Sequence, residues 1–153
     1  SFKSVLEPLK HKTFNRAVTG VVAKNFTSAQ LPLQLKIKVG LQYCDILENS
    51  VLTRELKEGL ASQVLDQDQD DDFASLVLEV GKAVSFSPSR MSPKLVDQIR
   101  SSDEFTPGKV VELVSFLATV QMLHRITCFY AVDTNTEKMM NTTITNGNYK
   151  TFD

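Results

Sequence analysis

Apolar residues recur at three- and four-residue intervals along almost the whole chain, and the alternation typical of β-strands is nearly absent. This spacing places apolar side chains together on one face of a helix. The longest such segment runs from Pro107 to about Ala131 and is apolar around much of its circumference. A helix of this kind belongs in the centre of its domain. The sequence therefore predicts an all-α, bundle-like fold of about six helices, packed by ridges into grooves around a long C-terminal helix.

The other helices are predicted from capping residues and first-turn prolines. Three of them run from Glu7 to Lys24, from Pro32 to Glu48 and from Asp72 to Val84. Two others start from an N-cap at Thr53 and from Ser92-Pro93, and Thr106-Pro107 opens the long helix. The most buried residues are expected to be Leu35, Val39, Val77, Val80, Val114, Leu117 and Val120. In the first helix, the buried stripe is expected to be Phe14, Ala17, Val18, Val21 and Val22.

The length of 153 residues is typical of one domain. We expect a single all-α domain over residues 1–132 and a polar tail, rich in Thr and Asn, over 133–153. Within the tail, Asn146-Gly147 is a turn signal between β-prone residues. The tail is therefore expected to form a docked hairpin or an arm across a neighbouring subunit.

Charge argues against two classes of partner. Seventeen basic and eighteen acidic residues give a net charge of -1, and the basic residues are scattered. Neither nucleic acid nor an anionic membrane is expected to be attracted to such a chain. We also expect no membrane-spanning segment, because the apolar runs fall short of the ~20 residues that cross a bilayer. Two widely separated cysteines do not resemble a disulfide scaffold, which favours a cytoplasmic location.

No metal or cofactor is expected. Asp66, Asp68 and Asp70 match the first three ligands of a calcium-binding EF-hand loop, but Asp71 and Val77 stand where that loop needs Gly and Glu. We interpret this run as a solvated acidic loop. The sequence contains no Gly-rich phosphate loop and no His/Cys metal-ligand spacing.

Each cysteine has an ionisable residue one helical turn away. Cys44 precedes Glu48 by four residues, and Cys128 follows His124 by four. Residues at this spacing share a helix face, and a neighbouring ionisable group controls how much reactive thiolate a cysteine forms. Both pairs are candidate sites, although each cysteine and His124 could equally be satisfied core residues. Arg125 is expected either to anchor its helix through a buried ion pair or to line a pocket or interface.

Three stretches, Leu35–Leu56, Phe73–Phe116 and Leu117–Val132, resemble the alkyl hydroperoxidase D / carboxymuconolactone decarboxylase-like family in helix order and spacing. Tyr43-Cys44 falls on the family's Tyr-Cys, and His124-Arg125 falls on its Asn-Arg pair. The resemblance implies an all-α subunit that assembles into trimers or hexamers.

In peroxidase members of the family, the resemblance implies a Cys-x-x-Cys pair followed by a histidine. Leu41 stands at the position of the first cysteine, and Glu48 at that of the histidine. Cys44 therefore cannot form the family's intramolecular disulfide, and a peroxidatic cycle would need Cys128, another protein or a small thiol reductant. The Glu48 carboxylate could accept a proton, yet its charge would raise the thiol pKa of Cys44.

Two functions follow from these features. The first is a thiol-dependent antioxidant of peroxidase type, in which Cys44 is the nucleophile, Glu48 the proton acceptor, and His124 and Arg125 pocket residues. The second is a catalytically silent homo-oligomeric scaffold or interaction protein. Catalysis by Cys44 requires a sulfur that opens to a pocket near a cation, because apolar burial raises a thiol pKa.

Overall fold

The prediction of an all-α fold is confirmed. The computed structural model describes residues 3–6, 12–61 and 72–145, with side chains described at 5–6, 12–59 and 72–129, and within these ranges it contains helices and no strand. The helices are α1 (Lys3–Leu6), α2 (Lys12–Thr27), α3 (Leu33–Ile46), α4 (Ser50–Ala61), α5 (Asp72–Ser85), α6 (Pro93–Ser101) and α7 (Pro107–Thr145).

Two helices form the centre of the molecule. The helix α7 packs against α1, α2, α3, α4 and α5, and α3 packs against α2, α4, α5 and α7. Close approach of α3 to α5 depends on Gly81, because a Cβ there would lie 2.7 Å from Cγ1 of Val39. The core between these helices is apolar and includes Leu35, Val39, Val77, Val80, Leu113, Phe116, Leu117, Val120 and Leu123.

Local capping explains where two helices begin. The hydroxyl of Ser92 accepts a hydrogen bond from the Leu95 amide at 3.1 Å, and Pro93 follows in the first turn. The Thr106 hydroxyl accepts from the Lys109 amide at 3.4 Å, immediately before α7. Both N-caps were predicted from the sequence and are confirmed. The expected N-cap at Thr53 is wrong, since α4 already begins at Ser50 and Thr53 lies in its first turn.

The buried faces of α2 and α7 differ from the prediction. Val114 in α7 is 47% exposed, whereas Phe116 and Leu123, which were not among the residues expected to be most buried, are fully buried. In α2, Val18 and Val22 are buried, but Phe14, Ala17 and Val21 are exposed. A helix that is apolar around much of its circumference has no unique inward face, so the positions of its neighbours decide which residues are covered.

A buried ion pair holds the α2–α3 connection against α7. The Lys36 ammonium donates to the Glu112 carboxylate at 2.8 Å and to the carbonyls of Asn25 and Ser28 at 2.9 and 2.6 Å. The same carboxylate accepts from the backbone amides of Gln30 and Leu31. Lys36 has no solvent exposure and Glu112 is buried. Both charges of this pair are therefore matched inside the core, as a buried ion pair requires.

The C-terminal tail begins as helix. The backbone of α7 continues to Thr145, so residues 143–145, expected as the first strand of a hairpin, are helical. The predicted turn at Asn146-Gly147, the remainder of the tail and the acidic run over 62–71 lie outside the described residues. The role of the tail as an arm across a neighbouring subunit remains a prediction.

Within the part of the chain that the structure describes, one helix is long and apolar enough to cross a bilayer. Residues Pro107–Phe129 meet this criterion by length and composition alone, although the sequence led us to expect no such segment. The same helix packs against five others and holds the buried carboxylate of Glu112. Length and apolar content are shared by membrane spans and by central core helices, so they do not separate the two.

Candidate functional site

Cys44 lies inside the core, near the end of α3. Its relative exposure is 0%, and it belongs to the buried core cluster that also contains Val39, Tyr43 and Leu56. Burial raises the pKa of the Cys44 thiol to about 12, the charge of Asp45 adds to this, and a hydrogen bond with the Thr53 hydroxyl partly opposes it. The thiol is therefore protonated at neutral pH. The requirement for catalysis at this position, a sulfur open to a pocket, is not met in this structure.

Glu48 does not share a helix face with Cys44. The helix α3 ends at Ile46, Leu47 is its C-cap, and Glu48 has a left-handed backbone with φ 52°. The amides of Glu48 and Asn49 donate to the carbonyls of Asp45 and Cys44, which is the Schellman arrangement at a helix end. Because Glu48 lies past the helix and is exposed, the expected one-turn pairing with Cys44 is wrong.

Asn49, which was not predicted to be a site residue, joins three elements. Its Oδ1 accepts from the Leu52 amide at 3.0 Å and so caps α4. Its Nδ2 donates to Nδ1 of His124 at 2.8 Å and to the Thr127 hydroxyl at 2.7 Å, both on α7. Its backbone amide donates to the Cys44 carbonyl. An asparagine directly before an apolar helical pattern is a capping signal that could have located it.

The protonation state of His124 follows from these bonds. Because Oδ1 of Asn49 is committed to the α4 cap, the amide nitrogen must face His124, and Nδ1 of the imidazole must accept. The neutral ring therefore carries its proton on Nε2. Burial lowers the pKa of His124, and the neighbouring positive charge of Arg125 lowers it further. The fold thus holds His124 in the neutral form.

Cys128 and His124 are in contact, as their spacing predicted. The sulfur of Cys128 lies 3.7 Å from Nδ1 and 3.6 Å from Nε2 of His124, and Cys128 is exposed. A sulfur at equal distance from both nitrogens lies over the face of the ring, since in the plane it would clash with the carbon between them. The imidazole lone pair does not point at this sulfur. The contact is therefore not the in-plane hydrogen bond of a nucleophile and its base.

Arg125 is exposed, so the first of its two expected roles, a buried ion-pair anchor, is wrong, while the second, lining a pocket or interface, stays a prediction. Its charge still acts on two neighbours, lowering the pKa of His124 and opposing the rise that burial causes in the pKa of Tyr43. The structure therefore brings the Tyr43-Cys44 end of α3 close to the His124-Arg125 segment of α7. The link between the two segments passes through Asn49.

The two thiols remain separate sites. Cys44 is buried, Cys128 is exposed, and both are free. Among the residues described, no three His, Cys, Asp or Glu side chains are grouped so that they could hold a metal ion. The hydrogen bonds of Asn49 with His124 and Thr127 couple α4 to α7. The sulfur of Cys128 beside them is the accessible one of the two thiols.

Comparison with protein-family models, with curated proteins and with solved structures finds no match to this chain.

Proposed function

We propose that this chain is a divergent alkyl hydroperoxidase D / carboxymuconolactone decarboxylase-like protein that acts as a catalytically silent, self-associating helical scaffold. The observation that carries the proposal is the complete burial of Cys44, which raises its thiol pKa to about 12. A sulfur in this state is neither reachable by a hydroperoxide nor ionised at neutral pH. The position of Glu48 beyond the end of α3 removes the expected proton acceptor and supports the same conclusion.

A thiol-dependent antioxidant activity at Cys128 is the second candidate, favoured by the exposure of that sulfur beside His124. In this reaction the thiolate attacks one oxygen of a hydroperoxide, the O–O bond breaks, and the other oxygen takes up a proton and leaves as alcohol or water. The sulfur becomes a sulfenic acid, which one external thiol converts to a mixed disulfide with release of water, and a second thiol reduces. The hydrogen bond from the Asn49 amide to Nδ1 of His124 weighs against this antioxidant activity, because the imidazole is then unavailable as a base.

Trapping of sulfenic acid distinguishes the two functions. The folded protein is exposed to hydrogen peroxide with a dimedone-type trap, and labelled peptides are quantified by mass spectrometry, with Cys44→Ser and Cys128→Ser as matched controls. For the scaffold, we expect no adduct at Cys44 and oxidation of Cys128 no faster than that of free cysteine. Fast labelling of Cys128 that is lost in His124→Gln would establish the second function. Fast labelling of Cys44 would refute our proposal.

Self-association is supported by an apolar stripe on the outer face of α7. Val111, Val114, Ala118, Met122 and Phe129 recur there at helical spacing. Val111 and Phe129 are 68% and 73% exposed, and Met122 is partly buried. The exposed Arg125 lies on the same face between Met122 and Phe129, so the apolar part of the stripe runs from Val111 to Met122. Exposed apolar surface of this kind is typical of protein–protein contacts. A second copy of this chain, in a closed trimer or hexamer, is the partner we propose.

Light scattering coupled to size-exclusion chromatography tests the assembly. We expect a trimer or hexamer at micromolar concentration, which dissociates in the double variant Val111→Lys/Val114→Lys. Ser75→Lys, on the exposed side of α5, places a charge away from the stripe and should leave the assembly intact. A monomeric wild-type protein would refute self-association.

A further inference from the structure

Asn49 occupies the junction where α3 ends, α4 begins and α7 passes. Its side chain caps α4 through Leu52 and bonds to His124 and Thr127 on α7. We propose that Asn49 and His124 form an acid-labile latch: neutral His124 holds the first turn of α4 over the Cys44 thiol, and protonation of His124 releases it. This inference goes beyond the scaffold function, because it concerns access to a buried thiol and not association.

The latch is incompatible with a protonated imidazole. At 2.8 Å, Nδ2 of Asn49 donates to Nδ1 of His124. Protonation converts Nδ1 into a second donor, so two N–H groups would face each other. Rotation of the amide could present Oδ1 to the imidazolium, but it would withdraw that oxygen from the Leu52 amide and uncap α4. Either response removes one of the bonds that fix the junction.

The same junction covers Cys44. The Asn49 amide donates to the Cys44 carbonyl at 3.0 Å. The Asn49 carbonyl accepts from both the amide and the hydroxyl of Thr53, at 3.0 and 2.9 Å. The Thr53 hydroxyl in turn lies within hydrogen-bonding reach of the Cys44 sulfur. Displacement of Asn49 therefore loosens the turn that carries Thr53, and this turn contacts the buried thiol.

The charged surroundings of His124 favour release and do not oppose it. On its own helix, Arg125 is the neighbouring charge and Cys128 the contacting thiol. On α3, Tyr43 lies close enough to feel the charge of Arg125. The first turn of α4, residues 50–53, is Ser-Val-Leu-Thr and has no charged side chain. An imidazolium at this position is repelled by the positive charge of Arg125, which raises the free energy of the protonated form.

The direction of the pH response follows from the native state. Burial, followed by the charge of Arg125, lowers the pKa of His124 below the ordinary value of 6.5. A released His124 binds a proton more readily than a latched one, so acid favours the open state. Between the ordinary and the native pKa, the population of the open state rises by up to about tenfold for each unit of falling pH.

Thiol labelling measures this population. In the Cys128→Ser background, Cys44 is the only thiol of the chain. Its rate of reaction with 4,4′-dithiodipyridine, which reacts with thiols in mild acid, is measured from about pH 7.5 to about pH 5 and divided by the rate for glutathione at each pH. We expect a negligible normalised rate at neutral pH and an increase in acid of up to about tenfold for each pH unit. Circular dichroism at each pH confirms that the helices persist.

Two variants test the assignment to the latch. In His124→Gln, the side-chain carbonyl can accept from Asn49 but cannot gain a proton, so the acid increase should disappear. In Asn49→Asp, one carboxylate oxygen keeps the α4 cap while the other pairs with the imidazolium. The acid increase should then be lost, and the pKa of His124 measured by NMR should move above 6.5. His11→Gln removes the other histidine and should behave as wild type.

Three results would overturn the latch. The first is a normalised rate for Cys44 that does not change with pH. The second is an acid increase that persists in His124→Gln or in Asn49→Asp. The third is hydrogen exchange that accelerates equally in α4 and α5 as the pH falls, since this would report global unfolding and not release of one turn.

Discussion

Replacement of Lys36 by methionine should be among the most destabilising single changes in the chain. The substitution preserves the length and apolar character of the side chain but removes an ammonium with no solvent exposure. The carbonyls of Asn25 and Ser28 then lose a donor, and the Glu112 carboxylate loses its counter-charge. Removal of one partner of a buried ion pair leaves the other uncompensated and costs about 3–5 kcal/mol. We expect a loss of this size in the free energy of unfolding.

A double-mutant cycle separates the ion pair from the packing around it. Urea denaturation is measured for Lys36→Met, Glu112→Leu and the double variant. We expect the double variant to be less destabilised than the sum of the single ones, with a coupling free energy of about 2–3 kcal/mol. The remaining loss belongs to the amides of Gln30 and Leu31, which also bond to the Glu112 carboxylate, and to the carbonyls that bond to Lys36.

Lys82→Met supplies the control for Lys36→Met. Lys82 lies on α5 and is exposed, so its replacement should change the free energy of unfolding by about 0.5 kcal/mol or less. A loss below about 1 kcal/mol for Lys36→Met, or strict additivity in the double-mutant cycle, would refute the reasoning, because a fully buried, matched charge cannot be removed without consequence.

Three further outcomes are expected. Glu48→Gly should raise the midpoint of thermal unfolding and stabilise the protein by about 0.5–1 kcal/mol. Glycine adopts the left-handed backbone at φ 52° without the steric cost that glutamate has there, and this gain exceeds the additional chain entropy that glycine loses on folding. Leu117→Ala should cost about 2–5 kcal/mol in urea denaturation, whereas Ser115→Ala, at an exposed position of the same helix, should cost about 0.5 kcal/mol or less. The pKa of His124 is lowered on folding by burial and then by Arg125, so the unfolded chain binds the proton more tightly. The resulting contribution to stability is present above pH 6.5 and is lost as the pH falls toward the native pKa. A pH series of denaturation curves should therefore show a decline in the free energy of unfolding that His124→Gln lacks.

Part of the candidate site could be predicted because its interactions are local. The contact between His124 and Cys128 follows from their four-residue spacing, which places them on one face of any regular helix. The caps at Ser92 and Thr106 follow from the same kind of short-range pattern. The pairing of Cys44 with Glu48 failed although its spacing was identical, because α3 ends between the two residues. Spacing is informative only where the helix continues, and element ends are the least certain part of a sequence-based prediction.

The sequence by itself determined the helical class, most of the helix starts and the central place of α7, since apolar periodicity and capping act over a few residues. Only the tertiary structure decided that Val114 faces outward, that Cys44 is sealed in the core, and that Asn49 bonds to α7. Residues 49 and 124 are 75 positions apart, as Lys36 and Glu112 are 76. Partners at such separations are chosen by how whole helices pack, because a helix with several apolar faces can bury any of them until its neighbours are in place.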